Sequence, residues 1–118
     1  AKGHSSYVYE VTWNPAGTLL ASASRDRSVR FWNAKDGTPV GSAIEFPHFV
    51  YAVRWNSDGT RVAVKTDLEA AVCSVETREI TRRWPTQGGE QVVAWHPKRD
   101  WLAVPKAVLD VQTGETVW

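Results

Sequence analysis

Methionine is absent from this 118-residue chain, and cysteine occurs once, as Cys73. One thiol can form neither an intrachain disulfide nor a multi-thiolate zinc site, so a hydrophobic core must hold the fold. Excess charge is also missing, because 14 Lys and Arg stand against 13 Asp and Glu, a formal net charge of +1. Such balance provides no general field toward nucleic acid or an anionic membrane, and neither is expected as a partner. No apolar run approaches the ~20 residues that span a bilayer, and the N-terminus lacks a charged-then-apolar secretory pattern. A cytoplasmic location is the resulting expectation. The missing Met points to a processed chain or to an excerpt from a longer one. Helical signals are scarce too, since no stretch of about 11 residues keeps a 3.6-residue apolar period behind a capping residue.

What is abundant is Trp, with seven residues, and its spacing is periodic: Trp13, Trp55 and Trp95 lie 42 and 40 residues apart. Each leads into a similar turn, Asn14-Pro15-Ala16-Gly17, Asn56-Ser57-Asp58-Gly59 or His96-Pro97-Lys98-Arg99-Asp100. Pro or Asp early and Gly late are turn residues. Short apolar strands follow at Leu19–Ala23, Val62–Val64 and Leu102–Val104, and again at Val29–Trp32, Ala71–Val75 and Val108–Val111. Alternating β-branched and aromatic residues precede each Trp, as in Val8, Val11 and Trp13. Turn signals about every ten residues predict antiparallel meanders, so the chain reads as all-β with about four short strands per period. The repeats run approximately 1–42, 43–84 and 85–118, within one domain.

A period near forty residues, opened by Gly3-His4 and closed by Trp32-Asn33, resembles the WD-repeat β-propeller family. The first repeat carries the match through Trp13, Leu19-Leu20-Ala21-Ser22-Ala23-Ser24-Arg25-Asp26 and Val29-Arg30-Phe31-Trp32-Asn33, with Asn33 replacing the family's final Asp. The second repeat keeps His48 and Asp67 but has Cys73-Ser74 where Trp-Asp belongs, and the third has no matching His. The resemblance implies antiparallel four-stranded propeller blades, three per chain. It also implies that Thr113–Trp118 joined to Ala1–Pro15 makes one repeat junction of 21 residues, as long as Thr77–Pro97. Three blades are too few for a closed ring, which typically has about 4 to 8. Closure is therefore expected from a dimer of six blades, from a trimer of nine, or from further blades of a longer parent chain. Ala1, Lys2, Val117 and Trp118 are the candidate closure residues, in a head-to-tail contact that must close to avoid a filament.

His4, Ser22 or Ser24, and Asp26 have the side chains of a nucleophilic triad. The resemblance implies another role, a buried hydrogen-bonded relay of His4, Ser22 or Ser24, Asp26 and Trp32 that satisfies its own polar groups and locks the blade. Ser22 and Ser24 also have only Ala and Arg beside them, with no Gly-flanked elbow to supply an oxyanion site. No catalytic residue, cofactor or metal is expected, since His4, His48 and His96 have no second ligand at zinc-like spacing. Cys73, between Val72 and Val75, reads as a packed small side chain. Arg25, Arg27, Arg30, Arg78, Arg82 and Arg83 read as solvated turn and outer-strand residues. Trp84, Trp101 and Trp118 fit repeat cores less well and are interface candidates. The family implies a non-enzymatic protein-interaction scaffold whose loops bind a protein or peptide, with Tyr7, Tyr9, Phe49 and Tyr51 as candidate anchors. A propeller hydrolase or lyase with a central polar site, and a self-assembling fragment without further activity, are the alternatives.

Overall fold

The strand order follows from the repeated alternation, and a computed structural model describes it for residues 4–86, 93–104 and 107–117. The first sheet is built in the order β1 (Val8–Trp13), β2 (Leu19–Ser24), β3 (Ser28–Asn33) and β4 (Ile44–Glu45). The second repeats it with β5 (Val50–Trp55), β6 (Arg61–Thr66), β7 (Glu69–Ser74) and β8 (Ile80–Pro85). The third contains β9 (Ala94–Trp95), β10 (Trp101–Val104) and β11 (Ala107–Asp110), and an isolated bridge from Leu109 to Thr116 stands where a fourth strand would lie. All pairings are antiparallel, and no helix long and apolar enough to cross a membrane occurs among the described residues.

Register makes the repeats superposable residue by residue. Trp13 pairs with Leu20, Trp55 with Val62 and Trp95 with Leu102. Leu20, Val62 and Leu102 pair in turn with Trp32, Cys73 and Leu109. The turns after β1 and β5 close the same way: Gly17 donates to the Asn14 carbonyl and Gly59 to that of Asn56, at φ of +73° and +75°. Only a residue without Cβ adopts that backbone freely.

The sheets stack like pages around two cores. One lies between the first and second sheets and includes Ala21, Phe31, Ile44, Val53, Val62 and Val64. The other lies between the second and third and includes Ala63, Val72, Val93, Leu102, Leu109 and Val111. The middle sheet therefore buries both faces, which is why β6 and β7 are nearly continuous Val and Ala instead of alternating with polar residues. Among the described residues, only one face of the first sheet is covered. On the other, Val11 is 56% exposed, whereas its counterparts Val53 and Val93 are 0% and 3% exposed.

Polar clamps run between sheets. Trp55 Nε1 donates to the Thr12 carbonyl (3.2 Å), and Trp95 Nε1 donates to that of Arg54 (3.0 Å). Arg54 pairs with Glu10, and Arg61 forms a two-point pair with Asp100 (2.5 and 3.2 Å). Trp84 is half-buried against the second core and donates to the Gly114 carbonyl (3.0 Å), so it serves an interface within the chain. Trp101 stacks edge-on with His96 (5.6 Å) under Arg99.

Candidate functional site

Two clusters share one edge of the first two sheets. The first is the β2–β3 turn. With the proton of His4 on Nδ1, each polar atom finds a partner: Trp32 Nε1 donates to Ser22 Oγ (2.9 Å), and Ser22 Oγ donates to His4 Nε2 (2.5 Å). His4 Nδ1 donates to Asp26 Oδ2 (2.8 Å). Asp26 is then saturated by the Ser28 hydroxyl (2.6 Å), the Ser28 amide and the Ser5 amide (each 3.0 Å). Burial alone would raise the Asp26 pKa; the bonds from Ser28, His4 and Ser5 outweigh it and hold the carboxyl at about 2.

The structure thus links the side chains of His4, Ser22, Asp26 and Trp32, while the Ser24 side chain bonds only to backbone atoms. Ser24 lies one pleat further along β2, on the same face, where its hydroxyl donates to the Tyr7 carbonyl (2.7 Å) and accepts from the Asp26 amide (3.0 Å). The sequence reading did not include Ser28. Its position two residues after Asp26, at the spacing of an Asx turn, was the available signal.

Ser22, His4 and Asp26 are bonded in the order of a nucleophilic triad, but the arrangement is closed. The His4 and Asp26 side chains are only 4% and 5% exposed, Ser22 is buried, and Trp32 occupies the hydroxyl that would attack. A triad needs its oxygen open to a substrate carbonyl beside preorganised donors. This one instead satisfies buried polar groups.

The other sheets replace the relay with packing. By register, Val64 and Cys73 stand where Ser22 and Trp32 stand in the first sheet, and Val104 and Leu109 do so in the third. His48 is half-buried, and its sheet is tied instead by Glu69, whose carboxylate accepts two bonds from Arg83 (each 2.7 Å). Cys73 is fully buried, and burial pushes its thiol up to about 12. His96 Nδ1 accepts from the Lys98 and Arg99 amides (each 3.0 Å), as Asn14 Oδ1 does from Thr18 and Leu19. Among the described residues, no three His, Cys, Asp or Glu gather as a metal would require.

The second cluster is aromatic. The Tyr9 and Tyr51 rings meet at 4.8 Å across the gap between β1 and β5. Above them the Arg25 guanidinium lies over Phe49 (5.0 Å) and Tyr7 (5.9 Å). The Tyr51 hydroxyl bonds to Asp67, and burial together with that carboxylate raises its pKa. Tyr7 is 70% exposed and Tyr9 38%. Of the closure residues, Val117 is partly exposed and its amide donates to the Val108 carbonyl (2.6 Å); Ala1, Lys2 and Trp118 lie outside the described residues.

At the opposite edge, a cleft of about 280 Å³ is lined by Asn56, Arg61, Trp95, His96, Lys98 and Asp100. Two of its charges are committed to each other, since Arg61 covers the Trp95 ring (5.3 Å) while pairing with Asp100.

Comparison with known proteins matches residues 1–33 to the family described as WD domain, G-beta repeat. Over 69 residues, 53% of this chain, it is 35% identical to the protein transport protein sec13 of Emericella nidulans, covering 22% of that protein. It is 28% identical to mouse F-box-like/WD repeat-containing protein TBL1X across 97% of this chain and 25% of that protein. Subunit I of eukaryotic translation initiation factor 3 from Neosartorya fischeri is 38% identical over 55% of the chain and 19% of the subunit. The chain spans about a quarter or less of the length of these relatives.

Proposed function

We propose that this chain, which belongs to the WD-repeat β-propeller family, is a non-enzymatic protein–protein interaction scaffold whose partner docks on the edge formed by Tyr7, Tyr9, Phe49 and Tyr51. The observation that carries this reading is the row of rings where β1 meets β5, with the outermost ring 70% exposed. Rigid aromatic side chains give large contact area at low entropic cost, which suits them as anchors. The His4–Ser22–Asp26–Trp32 relay has a structural role beneath that edge, fixing the turn from which Arg25 projects. The relatives' printed names, a transport protein, an F-box-like protein and an initiation-factor subunit, fit a family whose members work with other proteins.

The scaffold is completed by further blades. Trp55 and Trp95 each reach the inner strand of the preceding sheet, whereas Trp13, at the same position in the first sheet, is 58% exposed. A sheet placed against Trp13 would cover it and Val11. Either a second or third copy of the chain supplies that sheet, forming a ring of six or nine blades, or a longer parent chain does.

Selection of binders from a displayed random-peptide library tests the docking edge. Recovered peptides should lose affinity for a Tyr7→Ala, Phe49→Ala variant whose melting temperature is unchanged. Peptides that bind this variant as well as the parent chain would defeat the assignment, as would a selection that yields none.

A further inference from the structure

The Arg25 guanidinium lies over two aromatic rings and spends no N–H donor on a hydrogen bond among the described residues. Phe49 and Tyr7 lie against the planar cation, an arrangement that holds it in place without consuming its N–H donors. The side chain is exposed, and among the described residues no carboxylate or carbonyl accepts from it. The backbone beneath is equally fixed: the Arg25 amide donates to the Tyr7 carbonyl (2.8 Å), and the Ser24 hydroxyl donates to the same oxygen (2.7 Å). Asp26 points inward to His4, so its neighbours Arg25 and Arg27 both point outward from one tight turn. Arg27 holds a left-handed φ of +74° there and is exposed. The matching turn of the second sheet, Asp67-Leu68, is one residue shorter and has no Arg; its Leu68 is 52% exposed.

We infer that the Arg25-Asp26-Arg27 turn is a receptor for carboxylate side chains of an acidic partner peptide. Arg25 takes one carboxylate in a two-point hydrogen bond, and Arg27 places a second cation beside it. This rests on the scaffold reading above and specifies the chemistry of the partner. A carboxylate suits the edge better than a phosphate, because Asp26 and Asp67 stand at the same edge and oppose a dianion more strongly than a monoanion. Leu68, on the neighbouring turn, offers contact to an apolar residue of the same peptide. Pre-stacking means that little side-chain entropy remains to be lost on binding.

Fluorescence anisotropy with three labelled peptides tests the inference: Glu alternating with Leu, the same peptide with Gln for Glu, and the same with phosphoserine for Glu. The Glu peptide should bind, with affinity falling as salt rises, and the Gln peptide should bind about tenfold or more weakly. Arg25→Ala should lose a similar factor with only a small drop in melting temperature, since its side chain makes exposed ring contacts and no hydrogen bond. Arg25→Lys should lie between, keeping the charge but not the planar fork. No binding of the Glu peptide, equal binding of Glu and Gln peptides, or full binding by Arg25→Ala overturns the receptor. Binding of the phosphoserine peptide about tenfold or more tightly than the Glu peptide overturns the choice of carboxylate. If Glu and Gln peptides bind alike and both are lost in the Tyr7→Ala, Phe49→Ala variant, the receptor fails while the scaffold edge survives. If neither binds and library selection also finds nothing on the ring row, both fail.

Discussion

Asp26 releases its proton readily because four donors converge on its carboxylate, and this ties stability to pH with a definite sign. Its pKa falls from 3.8 to about 2 on folding. A group depressed in the folded state contributes stability above its unfolded value and loses it as pH falls through the folded value. The contribution should be nearly complete by about pH 5, shrink through the acid range and be lost only below about pH 2, and it should amount to about 2 kcal/mol. Asp36 and Asp58 are also depressed, through bonds from Thr38 and Thr60, so the difference between the parent chain and Asp26→Asn isolates the relay. Denaturant melts from pH 5 to pH 2 should show that difference shrinking, and a constant difference would remove Asp26 from the account. Ser22 supports a second prediction. With its hydroxyl shared between Trp32 and His4 and shielded from solvent, a serine-directed fluorophosphonate should leave the intact mass unchanged. A Ser22 adduct would reopen the hydrolase reading.

At the scale of strands and turns, repetition exposes what each substitution does. Gly37 and Gly114 occupy the position after β3 and β11 where the amide turns back to the residue four before it, at φ of +75° and +79°. The second sheet has Arg78 there, at φ +66°, a backbone that costs a residue with a Cβ roughly 1 kcal/mol. Arg78 offsets this by crossing to the first sheet, where its guanidinium covers Phe31 (4.0 Å) and donates to the Val40 carbonyl (3.0 Å). Arg78→Ala keeps the strain and loses the clamp, whereas Arg78→Gly loses both. Chemical denaturation should therefore rank the parent chain above Arg78→Gly and Arg78→Gly above Arg78→Ala, with about 1 kcal/mol between the two variants. The reverse order would mean that Arg78 is not strained. Strands and turns were legible in the sequence because they recur at a fixed period. The choice between Ser22 and Ser24 was not, since both face the same side of β2 and only depth along the strand separates them. Nor were the clamps of Arg25, Arg54, Arg61 and Arg78, because each joins residues brought together by the stacking of whole sheets, which no local pattern encodes. Reading Arg25 and Arg78 as solvated missed that a guanidinium can lie on a ring or carbonyl while remaining partly wet.

For the whole molecule, the uncovered face of the first sheet is the dominant fact. Val11 and Trp13 are 56% and 58% exposed, and their counterparts show what cover would do: Val53 is fully buried, and Trp55 donates its indole N–H to Thr12. By register, the carbonyl equivalent to those of Thr12 and Arg54 in the third sheet is that of Ala94, so the third sheet of a second copy would present Ala94 to Trp13. Burying Val11 and Trp13 would stabilise the contact by about 2 kcal/mol or more per side chain, before the cost of association is subtracted. Light scattering on a size-exclusion column over a wide concentration range should give a mass two or three times 13.2 kDa if copies close the ring. Trp13 emission should then shift to the blue as concentration rises, and a Val11→Glu variant should remain at the monomer mass, because a charge cannot enter that core unpaired. A single 13.2 kDa species with a cooperative melt would end the case for assembly among copies. A monomer that melts without cooperativity would instead indicate that the missing cover belongs to blades of a longer chain, since an open stack loses the mutual support that closure gives its end sheets.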